Sequence, residues 1–167
     1  MRWLIDGYNV IRCDADLRGR EAESLEAGRA ALIHLVARQA RESRDDFTIV
    51  FDGARVTGGA PSAGRVQVLF SHPPRTADDE LIRLARESGA GAVVVSSDRK
   101  IQDAARRSRC GAVTAEQFLA EVTESAEPGP ETKDDEDDRP REKRGNPRKL
   151  SRKARAAQRA LRRLRPS

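Results

Sequence analysis

The chain has only two cysteines, Cys13 and Cys110, in 167 residues. They fit no metal-binding spacing, and two thiols cannot make the disulfide framework of a small secreted domain. They read as small buried or half-buried thiols. Long apolar runs are also missing. None approaches the ~20 residues of a membrane span, and the opening Met-Arg-Trp-Leu-Ile meets Asp6 too soon to be a signal peptide. A cytoplasmic protein is therefore expected. No G-x-x-x-x-G-K-[ST] occurs, which argues against a P-loop nucleotide hydrolase. The D-x-D of haloacid-dehalogenase-like phosphatases is absent, because Tyr8 stands two residues past Asp6. A phosphoacceptor receiver wants a lysine after its last strand, where this chain has Thr114-Ala115-Glu116. Of the two histidines, His34 falls on a predicted helix away from every motif, and His72 before Pro73-Pro74 is weak evidence for acid–base chemistry.

Charge is plentiful and unevenly spread. Residues 1–126 carry 18 basic and 19 acidic residues, 127–138 carry 1 and 7, and 140–167 carry 12 and 1. A nearly neutral domain thus precedes an acidic segment and a strongly basic one, and a basic arm of this kind usually meets a polyanion. Residues 125–148 hold four prolines, two glycines and the acidic run from Asp134 to Asp138, the composition of a disordered linker. Beyond it Leu150, Ala154, Ala157, Leu161 and Leu164 recur at helical spacing among arginines and lysines. The expected organisation is a domain over 1–124, a linker over 125–148 and a basic amphipathic helix over 149–167.

Within the domain, short apolar runs alternate with helical patterns. Trp3-Leu4-Ile5, Phe47–Phe51, Val66–Phe70, Ala92–Val95 and Ala112-Val113 read as strands. Helices are expected over about 21–43, from Thr76, from about Asp98 to Arg107, and after the capping box Thr114–Gln117. The Gly-rich stretch 53–64 reads as a mobile loop. Alternation of this kind implies an α/β fold with a mostly parallel sheet covered on both faces. Three aspartates directly follow strands: Asp6 in L-I-D-G-Y-N, Asp52 in I-V-F-D-G and Asp98 in V-V-V-S-S-D. A fourth acidic station, Asp78-Asp79, opens the helix after Thr76. Ligands of open parallel sheets bind at the carboxyl ends of strands. Clustered carboxylates repel one another unless a cation sits among them, and a hard cation among carboxylates usually handles phosphate. Each aspartate alone also suits an ordinary turn or helix cap. Their recurrence at one end of the strands favours a site. Asp78 and Asp79 point in different directions on a helix, so at most one enters such a site directly.

D-G-Y-N, V-F-D-G, T-A-D-D and S-S-D together resemble the NYN domains, a branch of the PIN-like nucleases, and most closely their YacP-like bacterial group. The resemblance covers about residues 1–124. It implies a PIN-like three-layer α/β/α fold and an endoribonuclease dependent on Mg²⁺ or Mn²⁺ that leaves a 5′-phosphate and a 3′-hydroxyl. Carried over by position, it makes Asp6, Asn9, Asp52, Asp78 or Asp79, and Asp98 the acidic pocket, with Asp6, Asp52, Asp78 and Asp98 as metal ligands. Many NYN domains carry a second acid two residues past the last one. Lys100 stands there in this chain, so one firm metal is expected and a second stays open. Asn9 and Ser97 would orient phosphate or water. Arg55, Arg65 and Arg75, between the motifs, would meet RNA phosphates or remain solvated. Tyr8 would stack on a base or pack. The basic segment, with Arg148, Lys149, Arg152, Lys153 and Arg155, would bind RNA or a ribosome. The alternative is a catalytically weak RNA-binding module of the same fold.

Overall fold

A computed structural model of the chain describes residues 1–53, 64–124 and 152–164. The expected loop at 53–64 and the linker at 125–148 lie almost wholly outside the described residues. Five strands form one sheet: β1 (Arg2–Asp6), β2 (Asp46–Asp52), β3 (Val66–Ser71), β4 (Ala92–Val95) and β5 (Gly111–Val113). All neighbours are parallel and the order is β3-β2-β1-β4-β5. β1 is therefore central. The chain builds outward from it to β3, then crosses back to lay β4 on its other side, so the strand order reverses between β1 and β4. In open α/β sheets that switch point leaves a crevice at the carboxyl ends of the strands.

Side chains alternate across the sheet. Trp3, Ile5, Phe47, Ile49, Phe51, Val66, Val68, Val93, Val95 and Val113 face one layer of helices. Leu4, Val50, Leu69, Val94 and Ala112 face the other. Strands buried on both sides read as unbroken apolar runs, which is why the valine-rich stretch at 92–95 was recognisable. The first helical layer holds α1 (Gly7–Cys13), α2 (Ala15–Glu23), α3 (Leu25–Ser43) and α6 (Ala115–Glu124). The second holds α4 (Ala77–Ser88) and α5 (Arg99–Arg107).

The helix expected over about 21–43 is α3 preceded by the end of α2, and the stretch before it, not expected to be helical, forms α1 and most of α2. The breaks are set by caps. The side chains of Asp6, Asp14 and Ser24 accept hydrogen bonds from the backbone N–H groups of Asn9, Leu17 and Ala27, and each starts a new helix at the point where the previous one ends. α1 follows Asp6 without a turn because Gly7 lies flat against Phe51. A Cβ at Gly7 would fall 2.2 Å from that ring.

The basic segment is helical as α7 (Arg152–Leu161), continued by one 3-10 turn, Arg162–Leu164. It does not hang free. Ala160, Leu161 and Leu164 are buried in the same core as Trp3 and Phe118. The buried Gln39 amide donates to the Leu164 carbonyl. Asp45, 1% exposed, is shared by the Trp3 indole N–H at 3.0 Å, the Met1 ammonium at 2.9 Å and the Arg163 guanidinium at 3.5 Å. The apolar stripe read from the sequence as one face of a basic amphipathic helix is thus a packing face of the first layer. No helix among the described residues is long and apolar enough to cross a membrane.

Candidate active site

Asp6 ends β1, Asp52 ends β2, and Asp98 follows β4 after Ser96-Ser97. Parallel strands in register deliver these three to one edge of the sheet, and α4, which enters from β3, brings Asp78 to the same edge. All four line one cleft of about 430 Å³ together with Tyr8, Asn9, Arg12, Glu21, Leu25 and Ala77. The four aspartates come from four separate stretches of chain, so their convergence is a product of topology.

The scaffold uses each carboxylate differently. Asp6 accepts from the Asn9 N–H on Oδ1 at 3.2 Å and from the Ser96 hydroxyl on Oδ2 at 3.0 Å. Ser96, fully buried, also accepts from the Asp98 N–H at 3.2 Å, so it ties the first and last stations together. Asp52 accepts from the Ser71 hydroxyl and the Ala77 N–H, both at 2.7 Å and both on Oδ1. Asp98 caps α5, again through Oδ1 alone, from Lys100 N–H at 2.6 Å and Ile101 N–H at 3.3 Å. Neither Asp52 nor Asp98 commits Oδ2 to another described residue. Asp78 makes no hydrogen bond to a described residue.

Charge is therefore concentrated without being neutralised. Burial raises the Asp6 carboxyl above its ordinary value, with Asp78 adding to the rise, while its hydrogen bonds and Arg12 oppose it. Asp78 is raised by burial and then by Asp98, Asp52 and Asp79, with Lys100 pulling the other way. Opposite behaviour separates its neighbour. Asp79 is fully exposed and held below its usual value by the Thr76 backbone and side chain. It completes a capping box with Thr76 at 3.1–3.2 Å and does not line the cleft. The T-A-D-D pair thus divides into a cleft residue, Asp78, and a cap, Asp79.

Asn9 is oriented by its partner. Its Oδ1 accepts from the Ser97 N–H at 2.8 Å, and a backbone N–H can bond only the oxygen of that amide. The Nδ2 donors are left for the cleft. Ser97 itself turns away, donating to Glu116 at 2.7 Å and accepting from the Ala115 N–H at 3.1 Å. Glu116, fed first by Ser97, drops to about 2. It also accepts from the Cys13 thiol at 3.3 Å, so α1, the β4–α5 connection and α6 meet at this carboxylate.

The two described arginines expected between the motifs, Arg65 and Arg75, are not brought to the cleft. Arg65 precedes β3 and stands at the opposite, amino edge of the sheet, where it donates to the Arg44 carbonyl and lies 4.0 Å from Asp46. Arg75 is exposed beside α4 and outside the cleft lining. Arg55, Arg148 and Lys149 lie outside the described residues, as do the side chains of Arg152 and Lys153, while Arg155 is exposed on α7. Sequence reasoning missed Arg12, Glu21, Leu25, Ser96 and Glu116. Ser96 had a signal, its place immediately after the central valine strand.

The comparisons with known proteins agree with this geometry. Residues 3–163 match the YacP-like NYN domain. The chain belongs to that family. The YacP-like match extends through α7, consistent with the packing of that helix into the core. The chain is 33% identical over 85 residues to the YacP protein of Bacillus subtilis (strain 168) and spans half the length of that relative. Its fold is similar to the crystal structure of Rae1 (YacP) from Bacillus subtilis, with a TM-score of 0.65 at 29% identity over 74% of each chain. A tryptophan-to-leucine mutant of that protein gives 0.63 at 27% identity over 74% of this chain and 75% of the other. The NYN fold is a PIN-like nuclease fold.

Proposed function

We propose that this NYN domain is a metal-dependent endoribonuclease that hydrolyses RNA phosphodiester bonds in the Asp6–Asp52–Asp78–Asp98 cleft. The observation that carries the reading is the convergence of four carboxylates from four stretches of chain on one cleft at the switch point. The donor set is all oxygen and suits a hard divalent cation such as Mg²⁺ or Mn²⁺. Among the described residues no three His, Cys, Asp or Glu stand close enough to enclose an ion by themselves. Mg²⁺ is usually held by one or two carboxylates and keeps several waters. Asp52 and Asp98, whose Oδ2 atoms accept from no described residue, and Asp78, which hydrogen-bonds to no described residue, would hold it, one or two directly and the rest through water. When bound, the cation supplies charge stabilisation at the phosphate and eases ionisation of water.

The chain's own residues do the rest. Asn9 donates from Nδ2 to a phosphate oxygen, its amide fixed by Ser97. Arg12, on the same wall, offsets phosphate charge near Asp6. A cleft carboxylate that does not hold the cation accepts the proton of the attacking water. Ser96 holds Asp6 and the Asp98 backbone in register. Cleavage leaves a 5′-phosphate and a 3′-hydroxyl. The exposed cations of α7, Arg155 and Arg159, extend the RNA contact beyond the cleft.

Cleavage of end-labelled RNA in Mg²⁺ and Mn²⁺, with Asp6→Asn and Asp98→Asn as controls, tests this. Asparagine still caps a helix, so both variants should fold and neither should cut. Cleavage at the wild-type rate by both would remove the cleft as the site. RNA binding without any cleavage would leave a binding module of the same fold.

A further inference from the structure

One wall of the cleft carries no acid until its rim. Tyr8 lies beside Asn9 on α1, and Leu25 opens α3. Leu25 is 53% exposed, one of two large hydrophobic residues left in solvent among the described residues, and it lines the same cleft as the carboxylates. Tyr8 is held more firmly than a surface tyrosine needs to be. Its hydroxyl receives Arg29 Nε at 2.8 Å and a second bond from Arg29 Nη2. Its ring meets Phe51 edge-on, with centroids 5.1 Å apart. The Arg29 guanidinium lies 5.5, 5.8 and 5.3 Å from the ring centroids of Tyr8, Phe51 and Phe70. Phe51 and Phe70 are themselves stacked at 5.8 Å.

Gly7 completes the arrangement, because only a residue without a side chain lets α1 sit close enough to Phe51 for Tyr8 to reach it. The result is a pre-oriented aromatic face at the cleft wall, backed by a cation and continued by an exposed leucine. A water-exposed apolar residue next to four carboxylates is of no use to a metal or a phosphate. It suits the flat apolar body of a base attached to that phosphate.

We propose that Tyr8 and Leu25 form a nucleobase subsite, on which an unpaired base of the RNA stacks while its phosphate lies against Asn9 and the carboxylates. This rests on the reading of the cleft as an RNA site and adds the group by which the substrate is held there, the face of an unpaired base. Arg29 is a positioning residue that fixes the Tyr8 ring.

The test is equilibrium binding by the full chain in an Asp6→Asn background, which prevents cleavage during the measurement. The probes are a short single-stranded oligouridylate and the same ribose-phosphate chain lacking its bases. The chain has one tyrosine, so ¹⁹F NMR of 3-fluorotyrosine reports on Tyr8 alone. The base-bearing probe should bind roughly 10- to 100-fold more tightly and shift the single fluorine resonance. Leu25→Ala and Tyr8→Ala should shrink that preference, while Tyr8→Phe, which keeps the ring, should retain most of it. Leu25 is exposed, so its variant stays informative if Tyr8→Ala fails to fold. Equal binding of the two probes, or a preference unchanged in Leu25→Ala with no fluorine shift, would overturn the subsite. RNA cleavage by the wild type together with equal probe binding would sink the subsite alone. A base preference in a protein that never cleaves would sink the nuclease reading alone. Failure to bind either probe would sink both.

Discussion

Adjacent aspartates with opposite environments give the sharpest residue-level expectations. Asp78 lines the cleft and Asp79 caps α4. Asp78→Asn should abolish cleavage, whereas Asp79→Asn should leave it near wild type and lower Tm by at most a few degrees, read by RNA cleavage and thermal denaturation. The pH dependence of stability follows from the raised carboxyls. Asp6 and Asp78 have folded pKa values above those of the unfolded chain. From about pH 3.8 upward the native state therefore binds more protons than the unfolded state, and stability falls as pH rises until both folded carboxyls have ionised. Above that point the loss is constant. Asp78→Asn should accordingly raise Tm at neutral pH but not below pH 3.8, a gain in stability with a loss of function. Asn9 supplies a different test. Asn9→Asp keeps an oxygen for the Ser97 N–H but replaces the cleft-facing donors with a second acceptor. kcat/KM should fall about 10²-fold with Tm little changed.

At the scale of elements, α7 is the part whose role changes most once packing is considered. Leu164 is 1% exposed and sits in the main core, so Leu164→Ala should cost about 2–4 kcal/mol in urea denaturation. Removal of residues from 152 onward should destabilise the whole domain, not merely weaken RNA binding. An unchanged denaturation midpoint would make α7 a detachable arm. The sequence displayed α7's periodicity but not the surface that receives it, because an apolar stripe among arginines looks the same whether it faces a core or a ligand. Strands were legible for the opposite reason: Phe47–Phe51, interrupted only by Thr48, and Ala92–Val95 are apolar runs that can only be buried. Asp6, Asp52 and Asp98 were legible because each directly follows such a run or its two serines. α1 and α2 are too short to show a helical period and are defined by Asp6, Asp14 and Ser24 as caps. Arg65 was misplaced because proximity along a loop does not say which edge of a sheet a residue reaches. It precedes β3, so it lies at the far edge.

At the scale of the molecule, the account rests on a polarity of charge created by topology. β1 in the centre and β4 laid beside it bring Asp6 and the Ser96–Asp98 turn together across ninety residues of chain. A cation held among the acids at that edge, as proposed, would be a stabilising ligand. Addition of Mg²⁺ or Mn²⁺ should raise the Tm of the wild type and raise it less in Asp78→Asn. The most direct test of the central claim is single-turnover cleavage of a 3′-labelled single-stranded RNA by the wild type, Asp78→Asn and Asp79→Asn in Mn²⁺, with a chelator control. The account predicts 5′-phosphate products from the wild type and Asp79→Asn, none from Asp78→Asn and none in chelator. Equal cleavage by Asp78→Asn, or cleavage that survives the chelator, would contradict it.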